Sequence, residues 1–117
     1  LGSPVYHGSY SSVLKTALDH CGFDEFENTT VGLLVVAGGG FPTPALEHLR
    51  SVARTLNAWV LPHQVAIPNA HSAFEAGELT DEALVERVET LGADLVDYAG
   101  VESYPENTTA CTVPTAD

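Results

Sequence analysis

The sharpest pattern in the chain is the run at 31–37, Val-Gly-Leu-Leu-Val-Val-Ala, which carries no polar side chain and is followed at once by Gly38, Gly39 and Gly40. Unbroken apolarity, rather than alternation, predicts a strand buried on both faces, as in a parallel sheet covered by helices. Three helical stripes accompany it. Leu14, Ala17, Leu18 and Cys21 recur at helical spacing behind Ser11 or Ser12 as the cap, with Gly22 as the stop. Ala45, Leu46, Leu49, Val52, Ala53 and Leu56 form a second stripe, opened by Thr43 as N-cap with Pro44 at the first helical position and closed by Asn57. Leu84, Val88, Leu91 and Leu95 form the third, capped by Thr80, with Glu82, Glu86 and Glu89 on the opposite, solvated face.

The segments between these stripes are weaker. The first residues read as the end of a buried strand followed by a loop dense in Pro, Gly and Ser, and 23–30 as a polar connector whose Phe23 and Phe26 tuck under the sheet. A short strand is expected at 58–61, bracketed by Pro62 and Pro68 and continuing irregularly through 65–67; 69–78 reads as a loop. Alternating βα units predict an α/β domain over 1–99, with a three-layer parallel sheet and helices on both faces, and a polar tail over 100–117. Two and a half strands under three helices leave an open sheet edge, so further strands are expected upstream of Leu1.

Charge changes the picture most. Sixteen acidic residues against four basic ones give a formal net charge of −12, which disfavours nucleic acid and anionic membranes as partners. Such an excess alongside a patterned core resembles the surface of proteins from high-salt environments, an ordinary acidic cytosolic protein being the alternative. No apolar run approaches the roughly 18 residues of a membrane span, and no basic region precedes an apolar one at the N-terminus; a cytoplasmic location is expected. Cys21 and Cys111 make no disulfide framework: Cys21 is expected as a buried thiol on the first helix, and Cys111 lies in the tail. Asn28 and Asn107 each open an Asn-Thr-Thr triplet, read here as chance matches to a glycosylation acceptor.

Two loops carry the candidate chemistry, each following a strand end and leading to a helix, the place where ligands sit in parallel sheets. The first, Pro4, Val5, Tyr6, His7, Gly8 and Ser9, offers a rigid turn, an aromatic ring and close backbone approach, suited to a flat aromatic ligand; alternatively Pro-Val-Tyr merely ends a strand and Ser9 caps a helix. The second, Gly38, Gly39, Gly40 and Phe41, matches neither GxGxxG nor the P-loop and has no lysine beside it. A tight turn giving backbone access to a ring is as good a reading of it as an anion cradle. His20, His48, His63 and His71 show no metal-ligand spacing, no GxSxG elbow supports a triad, and no catalytic residue or metal ligand is assigned.

The stretch Ser3-Pro-Val-Tyr-His-Gly-Ser-Tyr-Ser-Ser-Val-Leu-Lys-Thr-Ala-Leu-Asp19 resembles the P-x-Y-x-x-S-x-x-x-x-L-K-x-x-x-D signature of the NADPH-dependent FMN reductase family. The likeness continues through 31–40, 46–61 and the Thr80-Asp-Glu helix. It implies a flavodoxin-like fold and FMN as cofactor, with Pro4 to Ser9 along the isoalloxazine and Gly38 to Gly40, with Phe41, as the second wall. It further implies NADPH or NADH as co-substrate, hydride transfer to a quinone, free flavin or similar small-molecule acceptor, and a homodimer or homotetramer. Flavin chemistry of this kind calls for no protein acid or base. Two departures stand out. The Gly/Ser/Arg-rich phosphate loop that the family carries after its first strand is absent here, so the resemblance covers the C-terminal part of the fold, and this piece alone is expected to bind FMN weakly. Phe41-Pro42-Thr43 also stands where small residues are usual. A flavodoxin-like electron carrier without a nicotinamide site, and a non-catalytic assembly domain, are the alternatives.

Overall fold

The computed structural model describes residues 1–105. Its centre is the apolar run, which forms a strand flanked by two others in parallel. In chain order the elements are β1 (Gly2–Tyr6), β2 (Ser9–Tyr10), α1 (Ser12–Asp19), α2 (Phe23–Phe26), β3 (Thr30–Val36), α3 (Thr43–Thr55), β4 (Trp59–Ile67), α4 (Ala70–Ala73), β5 (Phe74–Glu75), β6 (Glu78–Leu79) and α5 (Glu82–Ala99). The main sheet has the order β2-β1-β3-β4; β1 and β4 run parallel to β3, and β2 folds back antiparallel on the end of β1.

Both faces of β3 are buried, as its composition requires. Val31, Leu33 and Val35 face α1 and α3, in a core with Leu18, Ala45, Leu46, Leu49 and Ala53. On the other face Leu34 and Val36 join Val65, Ile67 and Leu91, with Leu84, Val88 and Leu95 of α5. Gly32 admits α5 closely: a Cβ there would lie 2.9 Å from Leu91 Cδ1 and 3.2 Å from Leu95 Cδ2. The expected α/β class with helices on both faces therefore holds, and so do the core stripes of α3 and α5.

Several local expectations are corrected. The chain after β1 is not a loop into a helix but a β-hairpin, and Ser11 rather than Ser9 caps α1, accepting from the Leu14 N–H at 3.3 Å. Helix α1 ends at His20, not Gly22, because Gly22 instead opens α2, where its N–H donates to the Glu25 carboxylate at 2.6 Å. Ala17 is consequently exposed, and the Cys21 thiol lies beyond the helix, half-exposed and donating to Ala17 O. Phe26 packs against the core, whereas Phe23 stays largely exposed. Helix α3 starts one residue early, with Pro42 at the cap and Thr43 already helical. Asp81 replaces Thr80 as the α5 cap because its carboxylate reaches the Ala83 and Leu84 N–H groups, while the Thr80 hydroxyl donates to Ala73 O. The 69–78 segment holds a helical turn and a small hairpin, closed by Ala76 and Gly77 at positive φ.

β4 also runs straight through Pro62, where a break was expected. The pairing with β3 shifts register between Val31 and Leu33, so the extra β4 residues form a bulge on an edge strand, a place where proline costs no ladder bond. Two arginines close this bulge: Arg50 Nη2 donates to Leu61 O at 2.9 Å, and Arg87 Nη2 to Gln64 O at 2.9 Å. Beyond α5, Tyr104 returns to β3 and β4, its hydroxyl 2.8 Å from Thr30 Oγ1 and its ring edge-on to Trp59. Cys111, Asn107 and the rest of 106–117 lie outside the described residues.

Buried Ser3 joins β1 to α1: its Oγ accepts the Ser11 N–H at 2.9 Å and donates to Pro4 O at 2.7 Å. Ser3→Ala strands that buried N–H and should cost about 1–3 kcal/mol. Leu49→Ala empties a fully buried site and should cost about 2–5 kcal/mol. Gly32→Ala presses only on the mobile ends of two leucines, so its loss should sit near the lower end of the roughly 1–3 kcal/mol that overpacking brings. Urea unfolding of the three variants checks both the sizes and this order.

Candidate cofactor site at the carboxyl edge of the sheet

Parallel pairing carries the ends of β1 and β3 to the same edge of the sheet. Pro4 stands in register with Val36, so the chain beyond Pro4 and the chain beyond Val36 leave side by side. The first forms the hairpin. His7 at φ 51° and Gly8 at φ 79° make the two-residue turn whose paired left-handed residues match strand twist, with Tyr6 opposite Ser9 and Val5 opposite Tyr10. Glycine takes this conformation freely, and histidine is among the few side chains that enter it without heavy strain.

The second is the glycine loop. Its position is set from β4: the Ala37 N–H donates to Ile67 O at 2.8 Å, the Asn69 N–H to Gly39 O at 2.9 Å and the Ala70 N–H to Ala37 O at 3.0 Å. Gly38, Gly39 and Gly40 are exposed, and a Cβ on any of them would meet nothing within 4 Å. A concavity of about 300 Å³ lined by Pro68, Asn69, Ser72, Ala73, Asp81 and Leu84 adjoins it.

The ten residues singled out from sequence thus divide by role. Tyr6 is 62% exposed and Phe41 88% exposed, one aromatic ring on each wall. His7 and Gly8 form the exposed turn; Pro4 is exposed, whereas Val5 packs its side chain on the core and offers backbone alone. Ser9 is half-buried and directed sideways: its hydroxyl lies 2.8 Å from His48 Nδ1 on α3. The structure brings the two groups to one edge. Sequence reasoning placed His48 on a helix and Ser3 and Asn69 in loops without assigning any of them a site role, since their bonds run to other elements and no local signal marks them.

Cations are scarce here. Lys15 is bound to Asp19 at 2.8 Å, a contact that raises its pKa, and Arg50 and Arg87 are committed to β4 carbonyls. Each segment presents open glycine backbone and one exposed aromatic ring, groups able to meet the rim and face of a flat ligand.

An FMN-dependent NADPH-azoreductase of Staphylococcus saprophyticus is 48% identical over 66 residues, 56% of this chain and 35% of the relative; one from Staphylococcus aureus is 47% identical over the same span. The chain spans about a third of the length of the curated relatives it matches. The crystal structure of an oxidoreductase from Corynebacterium diphtheriae superposes with a TM-score of 0.71 at 21% identity, covering 87% of this chain and 54% of that one, which establishes the shared fold. The family model described as NADPH-dependent FMN reductase matches residues 1–72, taking in both loops and the strands that present them, and the chain belongs to that family.

Proposed function

We propose that this chain forms part of an FMN-dependent NADPH oxidoreductase, and that the crevice between the hairpin and the glycine loop receives the isoalloxazine ring. The observation that supports the reading is the alignment of Pro4 with Val36, from which two exposed segments leave the carboxyl edge of a parallel sheet side by side. Gly8, Gly38, Gly39 and Gly40 let backbone N–H and C=O groups approach the ring's polar rim, Tyr6 and Phe41 shield its faces from water, and Pro4 stiffens the entry to the hairpin. Bound FMN supplies the redox chemistry, accepting hydride from a nicotinamide and passing it to a small-molecule acceptor. The protein's contribution is orientation and water exclusion. Azoreductase relatives support an electron-poor aromatic compound as acceptor, and NADPH over NADH as donor.

We also propose that the protein works in concentrated salt. Its formal charge is −12, the one ion pair among the described residues is Lys15–Asp19, and Glu82, Glu86 and Glu89 of α5 all face solvent. Self-repulsion of this kind is relieved as the screening length falls from about 10 Å at 0.1 M to about 3 Å at 1 M.

Three measurements test these readings. The intact protein, purified with FMN present, should be yellow and should oxidise NADPH when a quinone or azo dye is supplied; reduction by a partner protein but not by NADPH would make it an electron carrier instead. Gly39→Val should leave unfolding stability unchanged or higher, since its Cβ meets open space, yet weaken FMN about tenfold or more if the ring lies against that loop, a loss of about 1.4 kcal/mol. Equal FMN affinity in the two proteins would remove the glycine loop from the site. The melting temperature should climb between 0.1 M and 2 M KCl, and a flat or falling curve would end the high-salt reading.

A further inference from the structure

We propose that His48 is a positioning residue that sets the gap between the two walls of the crevice by holding Ser9. The inference rests on the reading of that crevice as a flavin-ring site. Ser9 Oγ and His48 Nδ1 are 2.8 Å apart across 39 residues of sequence, a direct side-chain link between the hairpin and α3. Core packing of Val5 and Tyr10 pins the base of the hairpin, and this bond is the side-chain link at its Tyr6–Ser9 end. The hairpin consists of two residue pairs, Val5 with Tyr10 and Tyr6 with Ser9, and two-stranded ribbons this short have little stability of their own. Its outer arm, β2, rests on α3.

Helix α3, by contrast, is anchored in the core. Ala45, Leu46 and Leu49 are buried to 2% exposure or less, and the helix begins at Thr43, directly after the Gly38–Phe41 wall. A bond from Ser9 to this helix therefore fixes the hairpin relative to the other wall. Ser9 also follows the His7–Gly8 turn immediately and faces Tyr6 in register, so holding Ser9 holds the turn and the strand end that bears the Tyr6 ring. The chemistry of the pair suits a fixed spacer. A serine hydroxyl both donates and accepts, so it bonds Nδ1 whether that nitrogen carries a proton or a lone pair. His48 itself is exposed and need not touch the ring to act.

The test uses the intact protein with His48→Ala, His48→Asn, Ser9→Ala and the His48→Ala/Ser9→Ala double variant; asparagine places an amide near the position of Nδ1. Hydrogen exchange is followed in the peptide covering residues 3–12 without cofactor, and FMN affinity by flavin fluorescence quenching. His48→Ala and Ser9→Ala should each speed exchange of the Gly8, Ser9 and Tyr10 amides and weaken FMN about three- to tenfold, the range of one hydrogen bond. The double variant should be no worse than either single change, and His48→Asn should restore both readouts. Exchange unmoved by His48→Ala, an FMN constant unmoved despite faster exchange, additive losses in the double variant, or no recovery in His48→Asn each overturns the assignment. Wild-type protein that takes up no FMN would overturn the flavin reading and this role with it, whereas normal uptake with an indifferent His48→Ala would sink the role of His48 alone.

Discussion

The burial of β3 on both faces is the constraint from which the rest follows. A strand with no polar side chain beyond Thr30 has to be covered twice, by α1 and α3 on one side and α5 on the other, and Gly32 lets the second cover come close. Once it is covered, its two backbone edges are the only places where neighbours can bond. β1 and β4 take those edges in parallel, and parallel pairing sends their carboxyl ends in one direction. The hairpin, the glycine loop and the Pro68–Asn69 turn thus gather at one edge as a consequence of core packing. The crevice proposed between them would be a by-product of how the sheet hides its centre.

The same economy governs the charges. With four basic residues against sixteen acidic ones, cations are a limited resource, and two of the three arginines satisfy backbone carbonyls of the β4 bulge rather than carboxylates. A bulged edge strand exposes C=O groups that water must otherwise solvate and that a foreign strand can capture. Guanidinium groups from α3 and α5 occupy two of them from opposite faces of the sheet. Proline at the bulge adds a position that cannot donate to a neighbour.

At the crevice, rigidity and openness are divided between neighbouring residues. Ser3, buried beneath the hairpin, anchors the start of α1 through the Ser11 N–H, and Val5 anchors β1 in the core. Tyr6, His7, Gly8 and Phe41 are left exposed above them. Buried pins beneath exposed rings would give the proposed site surfaces already set before a ligand arrives.

Sequence alone determined the class of the fold, the central strand and the core faces of α3 and α5, because each is encoded in local periodicity or in glycine and proline placement. The signature from Pro4 to Asp19 also pointed to the family. Other features depended on partners distant in the chain. Whether Ser9 capped a helix or closed a hairpin was decided by pairing with Tyr6 and by the reach of His48, and no local signal distinguishes a His-Gly turn from a loop. The survival of β4 through Pro62 was decided by the edge position of that strand and by Arg50 and Arg87. Asp81 displaced Thr80 as a cap because Thr80 was drawn to Ala73 O. Periodicity reports what a residue buries; only the assembled sheet shows what its polar atoms bond, since partners such as His48 for Ser9 and Arg87 for Gln64 lie 39 and 23 residues away.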